Sequence, residues 1–188
     1  MLGYYSYSLL ESQNNSSQKI MTFVNKFEVN VFRFSRVEKT LSVEETIQSF
    51  LEVRKKTTKK IGFLMIGDGS LLDILKEKYK TYECILFTGR LSHGEAFPVI
   101  KHLDLMISSI AGCTVFEVGY LGVPTISYNY HLMQETIIPN INGYLVDKSS
   151  PWEMEDCMLD YIEKSEDDRQ YMKKWPKKYG KKDLACMI

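Results

Sequence analysis

Six short apolar runs recur along the chain and limit what it can fold into: "VNVFRF" (29–34), "IGFLMI" (61–66), "CILFTG" (84–89), "LDLMISS" (103–109), "PTISYN" (124–129) and "GYLVD" (143–147). Between them lie stretches with helical periodicity. In "SVEETIQSFLEVRKK" (42–56), Val43, Ile47, Phe50, Leu51 and Val53 form one apolar stripe, and Ser42 with Glu45 has the spacing of a capping box. "LLDILKEKY" (71–79) reads as a second helix, and another begins near Pro151. Strands that are apolar on both faces and separated by helices indicate a parallel sheet covered on both sides. The expected class is therefore α/β, a Rossmann-like parallel sheet with helices on both faces. Residues 29–165 form this domain, preceded by a linker-like segment over 1–28 containing "ESQNNSSQK" and followed by a basic helix or tail over 166–188.

At 188 residues the chain can bury one core without disulfides or metal. Lysine plus arginine equals aspartate plus glutamate, 24 each, so no global field draws the protein to nucleic acid. The four cysteines are far apart and none has metal-ligand spacing, so no metal site is expected and the thiols suit a reducing, cytoplasmic setting. No run approaches the roughly 18 to 20 apolar residues of a spanning helix, and the N-terminus lacks the pattern of a signal peptide.

In parallel sheets of this kind, ligands bind beyond the carboxyl ends of the strands where the strand order reverses. That directs attention to "SRVEK", "GDGS", "GRLSHGE", "SSIAGCT" and "NYHLMQE". The stretch "SSIAGCTVFEVGYLGVP" (108–124) is the most informative of them. A helix starting near Cys113 or Thr114 would present its first amides to an anion, and Gly112 would let a ligand approach the backbone. Its carboxylate, Glu117, has two readings. Thr114 and Glu117 are spaced as a capping box, which would fold Glu117 back onto the backbone; alternatively Glu117 holds a ligand. Local sequence leaves these level.

The succession of motifs resembles the C-terminal, donor-binding half of GT-B glycosyltransferases, especially the retaining enzymes of family 4. The resemblance spans roughly residues 29 to 165. It rests on "IGFLMIGDGS", "ILFTGRLSHGEAFPVIKHLDLMI", "FEVGYLGVPTIS" and "QETIIPNINGYLV", in the family's order and spacing. It implies a nucleotide-sugar donor, UDP- or GDP-linked, and no metal cofactor. By position, Glu117 is the second glutamate of the family's E-x7-E motif and would hold the ribose hydroxyls. Gly112, Cys113 and Thr114 would face the diphosphate, and Gly67 would lie in the Gly-Asp-Gly turn of the donor site. Arg36 falls at the arginine that neutralises the leaving diphosphate, with Lys39 as its nearest lysine. Arg90 and Leu91 fall where the loop lines the base, His131 falls beside the donor site within reach of phosphate or sugar, and Glu135 keeps the family's glutamate before the last strand.

This sequence departs from the family pattern at three places. Ser109 stands where the first glutamate of E-x7-E would be, and Leu41 where the phosphate-binding lysine would be. His131 and Leu132 replace two glycines. His93 and His102 are read as the exposed or core-edge histidines that such contexts ordinarily hold.

The tail "QYMKKWPKKYGKK" (170–182) interleaves six lysines with Tyr171, Trp175 and Tyr179. Such a segment can lie on an anionic membrane surface, although a solvated helix interrupted at Pro176 is the commoner outcome. A GT-B enzyme has two such domains and only one fits here, so an acceptor-binding N-terminal half is expected in cis or in trans. The isolated half would be inactive. The rival expectation is a non-catalytic interaction domain with a degenerate site.

Overall fold

The structure is a computed structural model. It describes residues 17–109, 112–148 and 150–183, and of residues 131, 151 and 175–183 the backbone only. Strands β1 (Val29–Phe34), β2 (Ile61–Ile66), β3 (Ile85–Gly89), β4 (Leu105–Ser108), β5 (Thr125–Tyr128) and β6 (Gly143–Val146) form one sheet in the order β3-β2-β1-β4-β5-β6. All five pairings are parallel. The order reverses between β1 and β4, so the loops that leave their carboxyl ends diverge and open a crevice there.

The helices are α1 (17–24), α2 (Val43–Lys56), α3 (Leu72–Lys78), α4 (His93–Ile100), α5 (Cys113–Tyr120), α6 (His131–Thr136), α7 (Pro151–Glu163) and α8 (Glu166–Asp183). They divide the core into two layers, and the two-residue period of a strand feeds both. Ile61, Phe63 and Met65 of β2 point into a cluster with Val43, Ile47, Phe50 and Val53 of α2 and Met154, Met158 and Tyr161 of α7. Leu64 and Ile66 point the other way, toward Ala96, Val99 and Ile100 of α4 and Val115 and Val118 of α5. In α2 the charges also agree with the helix dipole. Glu44 and Glu45 lie in the first turn and Arg54, Lys55 and Lys56 in the last.

Three expectations are corrected. The segment over 1–28 is not all linker, because α1 buries Ile20, Phe23 and Val24 in the second core cluster and its Val24 carbonyl accepts from Asn30 Nδ2 at 3.1 Å; residues 1–16 lie outside the described ones. Ser42 and Glu45 form no capping box. A single 3-10 turn, Lys39–Leu41, runs directly into α2, and Ser42 joins the two with φ at 50° and no side-chain cap bond. Third, α8 continues past Pro176. An interior proline can bend a helix without ending it.

Helix α8 is also docked. Its Met172 is buried, and its Lys173 Nζ meets Asp104 Oδ1 at 2.6 Å, while Asp104 Oδ2 accepts from the Asn30 amide at 2.8 Å. A Cβ on Gly122, whose φ is +84°, would stand 2.6 Å from the Lys173 carbonyl oxygen, so the glycine is what lets α8 pass over the end of α5.

The Gly-Asp-Gly turn after β2 is shaped by a similar contact. A Cβ on Gly67 (φ +144°) would stand 1.9 Å from the Ser35 carbonyl oxygen, and one on Gly69 would stand 2.5 Å from that of Val37. Both glycines are needed so that this turn can press on the loop leaving β1. Neither contact can relax by a side-chain rotation, since the obstructing atoms are backbone. Gly67→Ala is therefore expected to lose about 2 kcal/mol or more of stability, read as a lowered urea midpoint with unchanged slope.

Candidate functional site

The crevice at the β1/β4 divergence is floored by one side chain. Arg33, near the end of β1, is only 1% exposed and lies under both loops. Its Nη1 donates to the Ser42 carbonyl at 3.1 Å and to Thr46 Oγ1 at 2.6 Å. Its Nη2 donates to the Leu41 carbonyl at 2.8 Å and to Ser109 Oγ at 2.7 Å. Every one of these acceptors is neutral. Burial pulls the guanidinium down to about 10, still well above neutral pH, so it remains a cation in the interior.

This network accounts for the two departures from the family pattern that flank the crevice. The Ser109 hydroxyl is buried, accepting from Arg33 and donating to the Leu41 carbonyl at 2.6 Å. The Leu41 side chain is buried in the first core cluster. Both positions are thus committed to the interior of the fold. Arg36 and Lys39 lie on the same loop and are exposed. Between them Glu38 turns toward the Gly-Asp-Gly turn, where its carboxylate accepts from the Ser70 hydroxyl and amide. Those bonds, the hydroxyl's first, hold Glu38 below the usual carboxylate range.

Across the crevice, α5 begins at Cys113 with Gly112 as its N-cap and no side-chain cap bond. The first amides of a helix have no partner within it. A Cβ added to Gly112 would meet nothing within 4 Å among the described residues. Cys113 is exposed and Thr114 half-buried. A capping box needs its glutamate at the third helical position, which here is Val115, whereas Glu117 is the fifth residue of α5. The cap reading fails for that reason. The Glu117 side chain, 35% exposed, instead lies 3.4 Å from His93 Nε2.

The other expected residues are distributed around the same edge of the sheet. Arg90 is exposed after β3, and Leu91 packs against the second core cluster. Gly67 serves the close approach to Ser35 described above. His131 opens α6, its side chain outside the described residues, and Glu135 is exposed on that helix. Sequence reasoning passed over Arg33 and set His93 aside. A cationic residue inside a strand of mostly apolar residues was the available signal for the first; for the second there was none, because its partner lies on another helix. Among the described residues, no three histidine, cysteine, aspartate or glutamate side chains converge as a metal site would require.

The family model for glycosyl transferases group 1 matches residues 15–179. The chain belongs to that family. No curated protein sequence matches it. Among solved structures, it is similar to a mutant of TarM from S. aureus in complex with fondaparinux, α-GlcNAc-glycerol and UDP, at 18% identity and a TM-score of 0.70. It is also similar to the C-terminal domain of LpcC, a glycosyl transferase group 1 protein of Francisella tularensis, at 23% identity and 0.62. A third is Anabaena HepE in complex with UDP and glucose, at 16% and 0.67. The shares of this chain covered are 79%, 78% and 85%; the shares of those chains are 31%, 81% and 45%. The chain therefore spans about a third of TarM and under half of HepE, but most of the single LpcC domain. At these identities the likeness is one of fold.

If Glu117 is no cap, removing its carboxylate should leave the fold intact. Glu117→Ala is expected to change the unfolding free energy by less than about 0.5 kcal/mol, where loss of a true cap costs about 1. Urea denaturation of the two proteins measures the difference.

Proposed function

We propose that this chain is the donor-binding part of a glycosyltransferase. It takes a hexose or related sugar from a UDP- or GDP-sugar, with retention, to a glycan, lipid-linked or protein acceptor. The observation that carries the reading is Glu117, a carboxylate not spent on its own helix end, on α5 at the reversal of strand order. Two ribose hydroxyls can donate to one carboxylate in charge-assisted bonds. The amides of Cys113 and Thr114, together with Arg36 and Lys39, supply positive potential for the diphosphate without a metal. Arg90, Leu91, Gly67, His131 and Glu135 complete the rim of the proposed site, and Ser109 lies beneath it, bonded to Arg33. That structures of TarM and HepE were solved with UDP supports a uridine donor.

The reaction needs an acceptor-binding domain, which this reading places in a further part of the same protein or in a partner. The cytoplasm, where nucleotide-sugars are made, is the proposed compartment. Contact with a membrane surface through 171–182 would be made without Lys173, which is paired with Asp104.

A second reading, a glycosyltransferase-like domain that binds a partner without turnover, draws on Ser109 and Leu41. Both are built into the core where the family pattern has charged groups. Titration calorimetry with UDP, GDP and their sugar conjugates separates the two. Donor binding predicts saturable uptake of one nucleotide, weakened tenfold or more by Glu117→Ala, as loss of a charge-assisted bond implies. A stable complex with an acceptor domain in which neither component takes up nucleotide would instead establish the second reading.

A further inference from the structure

His93 is where the structure adds a residue that the motif pattern does not contain. Its backbone is anchored and two aromatic rings flank its imidazole. The backbone at the start of α4 is tied by Glu95, whose carboxylate accepts from the Ser92 amide at 2.8 Å and from the Ser92 hydroxyl at 2.6 Å. The imidazole then stands edge-on to two aromatic rings, Phe97 of its own helix at 5.1 Å and Phe34 at the end of β1 at 6.0 Å, with interplanar angles of 73° and 74°. Edge-to-face packing of this kind favours one ring orientation over free rotation. That orientation sends Nε2 to Glu117 Oε2, 3.4 Å away.

The contact joins three separate elements at the crevice: β1 through Phe34, α4 through His93 and α5 through Glu117. A carboxylate standing alone at a helix surface samples several rotamers, and ordering it on ligand binding costs affinity. One whose Oε2 already faces a fixed donor is restricted in advance. At 3.4 Å the pair is longer than a formed hydrogen bond. Such contacts are often loose in the empty site and tighten once ligand arrives.

We propose that His93 is a positioning residue for the nucleotide site. It donates from Nε2 to one oxygen of Glu117 and so orients the other oxygen toward the ribose diol. This rests on the donor-binding reading of Glu117. It extends that reading by naming the group that sets the carboxylate's direction and, through it, the preference for a ribose over a deoxyribose. His93 needs no contact with the nucleotide itself.

The test compares UDP with 2′-deoxy-UDP by titration calorimetry on the full chain, for the unaltered protein and for His93→Ala, His93→Gln and Glu117→Ala. The ring is largely exposed, so the substitutions spare the core. His93→Ala should weaken UDP about fivefold, the scale of one imperfect hydrogen bond to a charged group. It should weaken 2′-deoxy-UDP less than twofold, so that discrimination between them falls. His93→Gln, which keeps an N–H donor, should recover most of that discrimination.

If His93→Ala weakens both nucleotides by the same factor, changes neither, or is not rescued by glutamine while Glu117→Ala still abolishes discrimination, His93 has no positioning role and the donor site stands. If Glu117→Ala preserves discrimination, or the unaltered chain binds neither nucleotide, the donor-site reading falls and takes this inference with it.

Discussion

The buried guanidinium of Arg33 is the interaction on which the crevice depends. It is a cation without a carboxylate at its hydrogen-bonding nitrogens, satisfied at four points by two carbonyls and two hydroxyls from α2, the turn before it and the end of β4. Its Nε has no hydrogen-bond partner among the described residues. Taking such a charge out of water is costly, and the downward pull on its proton affinity reflects that cost. In return the segments that follow β1 and β4 at the carboxyl edge of the sheet are tied to one rigid planar group. Arginine suits this role better than lysine because its donors are fixed in a fork that can reach several acceptors at once.

Close backbone contacts extend the same rigidity outward. The Gly-Asp-Gly turn lies against the loop after β1 so tightly that no side chain fits at either glycine, and Glu38 reaches from that loop to Ser70. The consequence is that Arg36 and Lys39 project from a loop braced on both sides, by Arg33 beneath and by the turn beside it. The opposing wall, α5, is held from behind by α8 through Gly122. Rigid walls leave less ordering to be done when a charged, flexible ligand binds.

How legible this was in the sequence depended on the range of the interactions involved. All six strands were readable, because continuous apolar runs bounded by turn residues reflect burial on both faces, a property each run carries in itself. The start of α5 was readable to within a residue or two, but the role of Glu117 turned on that residue. A start at Cys113, with Gly112 rather than Thr114 as the cap, moves Glu117 out of the first turn. The capping box expected at Ser42 failed because the chain enters α2 through a left-handed residue, whereas a capping residue is ordinarily extended.

The sequence by itself determined the class of the fold, the order of its elements and the family, since these follow from local patterns of apolar, turn and glycine residues repeated along the chain. The tertiary structure alone decided which polar residues belong to the interior and which face the crevice. Ser109 meets Arg33 across 76 residues and His93 meets Glu117 across two helices. Such contacts arise only when the reversal of strand order brings separate loops to one edge, and no local periodicity encodes them.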